Sequence, residues 1–510
     1  VKKVSKAVFG ISVLIAILFI LWGSVMPEQA ATATGNVQAL IQDKFGWFYL
    51  LSATGFLVFV LSLIFTRLGN IRLGKDNEEP EYSYITWFAM LFSAGMGIGL
   101  VFWGVAEPLS HFSAPPTGDA GTREAAKNAM QYSLFHWGLH PWAIYTLIAL
   151  ALAYFKFRKE APGVISATFY PLLGDKVKGP IGKTIDILAV FATIFGVATS
   201  LGFGAAQISG GLSFLMEGIQ NNFTTQLIII IVVTVLFMAS AWSGLNKGIK
   251  YLSNINITLA VALMFFLLFS GPTKFIMDFF TTTLGNYVQE LPRMSLNLNP
   301  FESSKQAEWT QSWTVFYWAW WISWAPFVGT FIARVSRGRT IREFVLGVLA
   351  VPTIFSALWF SVLGGSGIYA EMFDKAGIVD VINNQGAEIA LFKLLESVPL
   401  GTVLSVIAIL LISTFFITSA DSATFVLGMQ TTNGSLNPPQ SVKLTWGVIQ
   451  AASAAVLLWA GGLQGLQTAS IIAAFPFTFV LIGMAVSLMK SLREEKPITK
   501  TKGFGSAETK

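Results

Sequence analysis

The 510-residue chain has no cysteine, only three histidines, and few charges: Asp, Glu, Lys and Arg make up 12% of it, against roughly 25% in soluble domains. Without cysteine there are no disulfides and no thiolate metal sites. So little charge cannot coat a water-facing surface on a chain this long, because a single soluble core stops growing near roughly 250–300 residues. Catalytic signatures are missing as well. No HExxH, GxSxG or P-loop pattern occurs, so the sequence does not read as an enzyme. A net charge of +6 would suggest nucleic acid in a soluble protein, but the placement of the basic residues accounts for it, and no nucleic-acid partner is expected.

What the chain has in abundance is apolar sequence. Hydrophobic residues make up 54%, in runs of about 20, the length that crosses a bilayer as a helix. The runs predict twelve transmembrane spans, near 7–26, 47–67, 86–106, 133–155, 185–206, 226–246, 251–271, 313–333, 343–364, 402–428, 443–461 and 466–489. The first is too long for a signal-peptide core and is read as an uncleaved span. Lysine and arginine test the topology, since cytoplasmic loops are enriched in them. With both termini inside, only Lys44, Arg123, Lys127, Lys274, Arg293, Lys305, Lys375 and Lys393 of the 33 basic residues fall outside. The longest outer loop, about 272–312, carries Phe275-Ile276-Met277-Asp278-Phe279-Phe280, which suits an amphipathic helix along the membrane surface.

Two spans carry helix-disfavouring residues at mid-length. The third reads Ser93-Ala94-Gly95-Met96-Gly97-Ile98-Gly99. Glycine costs about 1 kcal/mol relative to alanine in a helix, so three alternate glycines favour unwinding. Close helix packing is the alternative, and it would use Gly95 and Gly99 but not Gly97. The eighth span holds Trp324-Ala325-Pro326-Phe327-Val328-Gly329, a second expected break. Thr199-Ser200 and Thr418-Ser419 recur at nearly the same offset as the two breaks. This predicts two inverted five-span repeats, spans 3–7 and 8–12, behind two leading spans. The divisions are 1–84 for the leading helices, 85–272 for the first repeat, 273–312 for the outer loop, 313–489 for the second repeat and 490–510 for a cytoplasmic tail.

Six of the 16 tryptophans fall at Trp309, Trp313, Trp318, Trp320, Trp321 and Trp324. A membrane-surface belt explains the first two. Trp320, Trp321 and Trp324 lie mid-span beside Pro326, and span 4 offers Trp137, Trp142 and Tyr145 in answer. Any one of these rings could be packing. Two facing clusters beside helix breaks suit a cage for a quaternary ammonium ion, which has no N–H to donate and is held by aromatic faces.

Three segments together resemble the betaine/carnitine/choline transporter family: Gly95 through Gly104, Phe135 through Tyr145, and Trp313 through Arg342, with Phe415–Ser422 in span 10. The resemblance covers essentially the whole chain. It implies an all-helical membrane protein with a LeuT-like inverted-repeat fold, often a homotrimer, in the bacterial inner membrane. It places the substrate cage at Trp137, Trp142, Tyr145 and Trp321, with Trp320 and Trp324 along the path toward the cytoplasm. The Gly95, Gly97, Gly99 break would face the substrate carboxylate, and a sodium site would comprise Ser93, Met96, Phe415, Thr418 and Ser419. A second sodium site would fall on Thr193 and Phe327. There Val197 replaces the expected second hydroxyl, which counts against a stoichiometry of two.

Proton coupling usually needs acids or histidines inside the membrane. Asp421 is the one acid the span boundaries place well inside. His136 and His140 lack a third ligand for a transition metal in the sequence pattern, and are expected to hydrogen-bond within span 4. Sodium is therefore the expected coupling ion. No acid is read beside the glycine break, which favours a zwitterion such as glycine betaine over choline; carnitine and choline carriers are the rivals. Osmoprotective uptake, activated by high osmolarity, is the expected role. Arg334, Arg337, Arg339 and Arg342 fit the cytoplasmic charge rule, with contact to the tail or anionic lipid as the alternative.

Overall fold

A computed structural model describes residues 4–243, 246–301 and 304–496. Lys2, Lys3 and residues 497–510 of the expected tail lie outside the described residues. Among those described, the only β pairing is a single bridge between Arg72 and Thr340. Helix dominates for a physical reason: without water to bond, apolar segments must satisfy their backbone internally.

The first half comprises α1 (Lys6–Val25), α2 (Pro27–Ile64), α3 (Tyr84–Gly95), α4 (Ile98–Ser113), α5 (Arg123–Trp137), α6 (Leu139–Ala153), the short α7 (Tyr170–Leu173), α8 (Pro180–Leu215), α9 (Phe223–Ser243) and α10 (Asn246–Ser270). The second comprises α11 (Thr273–Ser295), α12 (Lys305–Thr310), α13 (Phe316–Val335), α14 (Ile341–Phe373), α15 (Ile378–Gln385), α16 (Ala390–Glu396), α17 (Gly401–Thr431) and α18 (Gln440–Arg493). Local sequence sets the starts. Ser83 caps α3 by accepting from the Thr86 amide, and Thr340 and Glu343 form a reciprocal capping box on α14.

Nine helices among the described residues are long and apolar enough to cross a membrane, and the bent pair α3–α4 makes a tenth. Large apolar side chains stand exposed along α1 and α9, among them Leu14, Leu18, Ile228 and Val235, as lipid contact requires. The eleventh and twelfth expected spans both lie in α18, whose helix is interrupted at Gly462 (φ 58°, ψ −144°). Only glycine adopts that backbone readily. Residues Phe275–Phe280 do lie in a helix, α11, and Phe275 packs its ring on Tyr369 and Phe373 of α14.

Two local expectations are corrected. Pro326 does not break its helix: α13 runs unbroken through it. Close packing clamps the helix on two sides. A Cβ on Gly196 of α8 would lie 2.8 Å from the Ser323 backbone, and one on Gly329 would lie 2.3 Å from Ile148 of α6. Trp309 and Trp313 do not form a surface belt; both pack on His111, with ring centroids 4.8 and 4.5 Å apart. A π-helical turn over Gln311–Val315 inserts extra backbone between Trp309 and Trp320.

The segments rich in lysine and arginine gather at one end of the molecule. The Ser5 amide donates to the Thr431 carbonyl at 3.0 Å. Arg342 donates to the Ile64 carbonyl, Arg337 pairs with Glu78, and Arg339 donates to the Tyr82 carbonyl. These arginines therefore bind the loop after α2. Just beyond α18, Glu495 pairs with Arg158 at 2.9 Å and Lys159 at 2.9 Å, and accepts from the Tyr154 hydroxyl. Burial alone would raise its carboxyl, but the bonds from Arg158, Lys159 and Tyr154 hold it down at about 2.

Candidate functional site

The α3–α4 pair bends by 64° at Met96–Gly97. Gly97 is fully extended (φ −176°, ψ −174°), and a Cβ there would meet nothing within 4 Å. Its neighbours are glycine for a different reason. A Cβ on Gly95 would lie 2.9 Å from the Trp142 ring; one on Gly99 would lie 2.8 Å from Trp320 and 2.9 Å from Trp137. Unwinding and close packing thus coexist, divided among three residues. The first amides of α4 have no intrahelical acceptor, and no side chain caps them.

The same indoles converge from α5, α6 and α13. Trp137 meets Trp321 edge to face at 4.7 Å, Trp142 meets Tyr145 at 5.2 Å, and Tyr145 meets Trp321 at 6.3 Å. Trp320 stacks on Trp321 at 4.6 Å with 15° between planes, while Trp324 packs on Phe327. The Trp321 indole donates to the His136 carbonyl at 2.8 Å.

A cavity of about 1120 Å³ joins these elements. It is lined by every residue expected in the cage, by Gly95, Gly97 and Gly99, and by Ser93, Met96, Phe415, Thr418, Ser419 and Phe327. From there it runs to Asp421, Arg334 and Lys443 at the basic end. Ser200 and Ser419 both reach it, whereas Thr199 bonds Ser470 at 2.7 Å. Thr193 is not among the lining residues; its hydroxyl donates to the Ala189 carbonyl and accepts from the Gln430 amide at 3.1 Å. Thr418 Oγ1 accepts from Asn256 Nδ2 at 3.1 Å and donates to the Thr414 carbonyl at 3.1 Å. Asn256 lines the cavity too, and its Oδ1 is buried without a hydrogen-bond partner.

Sequence reading missed Glu107. Ending the third span at 106 left it outside, yet α4 continues to Ser113 and the side chain is fully buried. Asp421 is therefore not the only acid inside a span. Glu107 Oε1 meets His111 Nε2 at 3.0 Å and His136 Nδ1 at 2.6 Å; Oε2 accepts from Trp137 Nε1 at 2.7 Å and the Tyr317 hydroxyl at 2.6 Å. His136 thus bonds across helices rather than within its own, and it also meets Thr314 at 2.9 Å. His140 turns instead to Thr54 and stacks on Trp318 at 5.0 Å. The third ligand-type group near His136 does exist, for Glu107, His111 and His136 bring ligand-type atoms within 4.8 Å of one another. The legible signal was Glu107 and His111 four apart at the end of an apolar run.

A bent helix pair, converging aromatic rings and several hydroxyl side chains thus border one cavity, and comparison with known sequences gives the family. The profile of BCCT, the betaine/carnitine/choline family transporters, matches residues 7–497. The chain belongs to this family. Among similar family members is a protein of Bacillus subtilis described as glycine betaine transporter OpuD, 55% identical over 492 residues, 96% of this chain and 95% of that one. A Desulfitobacterium hafniense protein described as a probable glycine betaine transporter is 46% identical over 500 residues, 98% of this chain and 99% of its own length. A Virgibacillus pantothenticus ectoine/hydroxyectoine transporter is 43% identical over 493 residues, 96% and 97% of the two chains. This BCCT member is accordingly a multi-pass membrane transporter rather than an enzyme.

Proposed function

We propose that the protein is a sodium-coupled symporter that imports glycine betaine by alternating access, holding the trimethylammonium group in the cage of Trp137, Trp142, Tyr145 and Trp321. The observation that carries this reading is that the cage, the Gly97 break and Thr418–Ser419 all border one cavity. Aromatic faces attract a quaternary cation. The freed amides at the start of α4 suit the substrate carboxylate, since a helix N-terminus favours anions. The two ends of betaine thus meet opposite chemistries a few ångströms apart. The glycine betaine descriptions of two relatives point to the same substrate.

Sodium is a hard cation that prefers oxygen ligands. Hydroxyls of Ser93, Thr418 and Ser419, with carbonyls of Met96 and Phe415, would supply them. A second sodium at Thr193 and Phe327 fits less well, because Thr193 faces Gln430. Twelve spans in two inverted five-helix repeats of LeuT type, in a bacterial inner membrane as a homotrimer, complete the reading. The basic end is cytoplasmic by the charge rule, and the cavity runs toward it.

Uptake of labelled glycine betaine into proteoliposomes, with and without an inward sodium gradient and with excess choline, carnitine or ectoine, tests the reading. Concentrative, sodium-dependent uptake unaffected by choline is expected, and Thr418→Ala should raise the sodium needed for half-maximal uptake. Sodium-independent exchange would overturn the coupling; strong competition by choline or carnitine would move the substrate to that branch.

A further inference from the structure

We propose that Glu107 is a positioning residue for the cage and the source of a negative field behind it, so that the pocket selects a quaternary ammonium over an uncharged group of the same shape. The inference rests on the cage reading above.

Glu107 is wholly buried, and among the described residues no lysine or arginine pairs with it. Its neighbours are two histidines, an indole and a phenol. The indole N–H can only donate, and both histidines can present an N–H to Oε1. With donors on both oxygens the carboxyl acts purely as an acceptor, the role of an ionised carboxylate. His136 with its proton on Nδ1 leaves Nε2 to accept from the Thr314 hydroxyl, and is then neutral. His111 Nδ1 has no hydrogen-bond partner, so a protonated His111 would strand a charged N–H; the neutral ring is the less costly form. With the protons placed in this way, the cluster carries one negative charge with no cation beside it.

That charge lies immediately behind the cage. Its Oε2 holds Trp137 by the indole nitrogen, and Trp137 meets Trp321 at 4.7 Å. The same oxygen holds Tyr317, whose ring stacks on Trp321 at 5.8 Å. The backbone of His136 holds the Trp321 indole. One carboxylate thus sets the orientation of two rings directly and bears on a third. A buried unpaired charge is costly, and packing alone would be served by a neutral side chain. A cation in the cage supplies what the cluster lacks. The three ligand-type groups also invite a metal reading, but the ring nitrogens facing Glu107 are committed to it, and Oε2 is committed to Trp137 and Tyr317.

The test compares glycine betaine with 3,3-dimethylbutyrate, in which carbon replaces the quaternary nitrogen, by tryptophan fluorescence of purified protein in saturating sodium. The wild type should prefer betaine. Glu107→Gln, which keeps the shape, should lose at least about tenfold in betaine affinity, the scale of one charge acting across a ring at low dielectric, while dimethylbutyrate binding holds or rises. Equal losses for both ligands, or an undiminished preference for betaine, would overturn the proposal and leave the cage reading intact. A wild type with no preference would overturn the cage reading itself. Glu107→Asp keeps the charge but shifts it, so it should weaken both ligands and retain the preference; its loss in the well-folded Asp variant, judged by a monodisperse elution profile, would also overturn the proposal, even if the Gln variant does not fold.

Discussion

Two walls of the cavity carry residues that disfavour helix, and only one of them unwinds. At α3–α4 three glycines surround a break; at α13 a proline and a glycine sit inside an unbroken helix. Proline removes one backbone bond, and a packed helix tolerates that when neighbours hold it. A Cβ on Gly97 would meet nothing within 4 Å, so no neighbour crowds that position. The uncrowded position opens, and the clamped helix stays intact. The walls consequently offer different groups: freed backbone from α3–α4, and the rings of Trp320, Trp321 and Trp324 from α13.

Substitutions can break this comparison. Gly99→Ala would press a methyl against Trp320 and Trp137, an overpacking of about 1–3 kcal/mol, and should sharply reduce betaine uptake. Gly97→Ala meets no protein atom within 4 Å in an extended conformation any residue adopts, and should leave the melting temperature near wild type. Equal defects at both positions would show that the steric division of the glycines is wrong. On the opposite wall, Trp321→Ala should weaken apparent betaine affinity by roughly 1–2 kcal/mol, the scale of a desolvated cation–π contact. An unchanged affinity removes that ring from the cage.

A pH scan sharpens the contrast by acting far from both walls. Glu495 is held at about 2 in the folded protein, against about 4.3 when unfolded. Because the folded value is depressed, its contribution is fully present above about pH 4.3 and fades as pH falls toward 2. The melting temperature of the wild type should exceed that of Glu495→Gln at pH 7, and the gap should narrow below pH 4. A gap that does not vary with pH would assign the clamp to packing. The smallest effect is expected at Pro326→Ala. Restoring one N–H to a continuous helix should change stability by less than about 1 kcal/mol and leave uptake largely intact; a collapse of uptake would mean the proline is needed for a bent state.

These contrasts mark where sequence reading works. Length and hydropathy locate helices because the membrane fixes both, and the glycine run marked the bend although only Gly97 opens while Gly95 and Gly99 serve packing. The aromatic residues that line the cavity were legible from chemistry and spacing on their own helices. Pro326 misled because the contacts that hold α13 come from Gly196 and Ile148, far away in sequence. The π-turn before α13 shifts its register without any distinctive residue. Glu107 escaped because all its partners but His111 lie on α5 and α13, and its meaning depends on their meeting.

The stacked indoles of Trp320 and Trp321, 4.6 Å apart and nearly parallel, have a spectroscopic consequence. Two chromophores this close share their excited states, and the resulting ultraviolet circular dichroism depends on the angle between them. A solute entering beside Trp321 must perturb that angle or the field around it. Loading of the site should therefore be visible as a change in the coupled band of the unlabelled protein, and the change should vanish when either indole is replaced by phenylalanine.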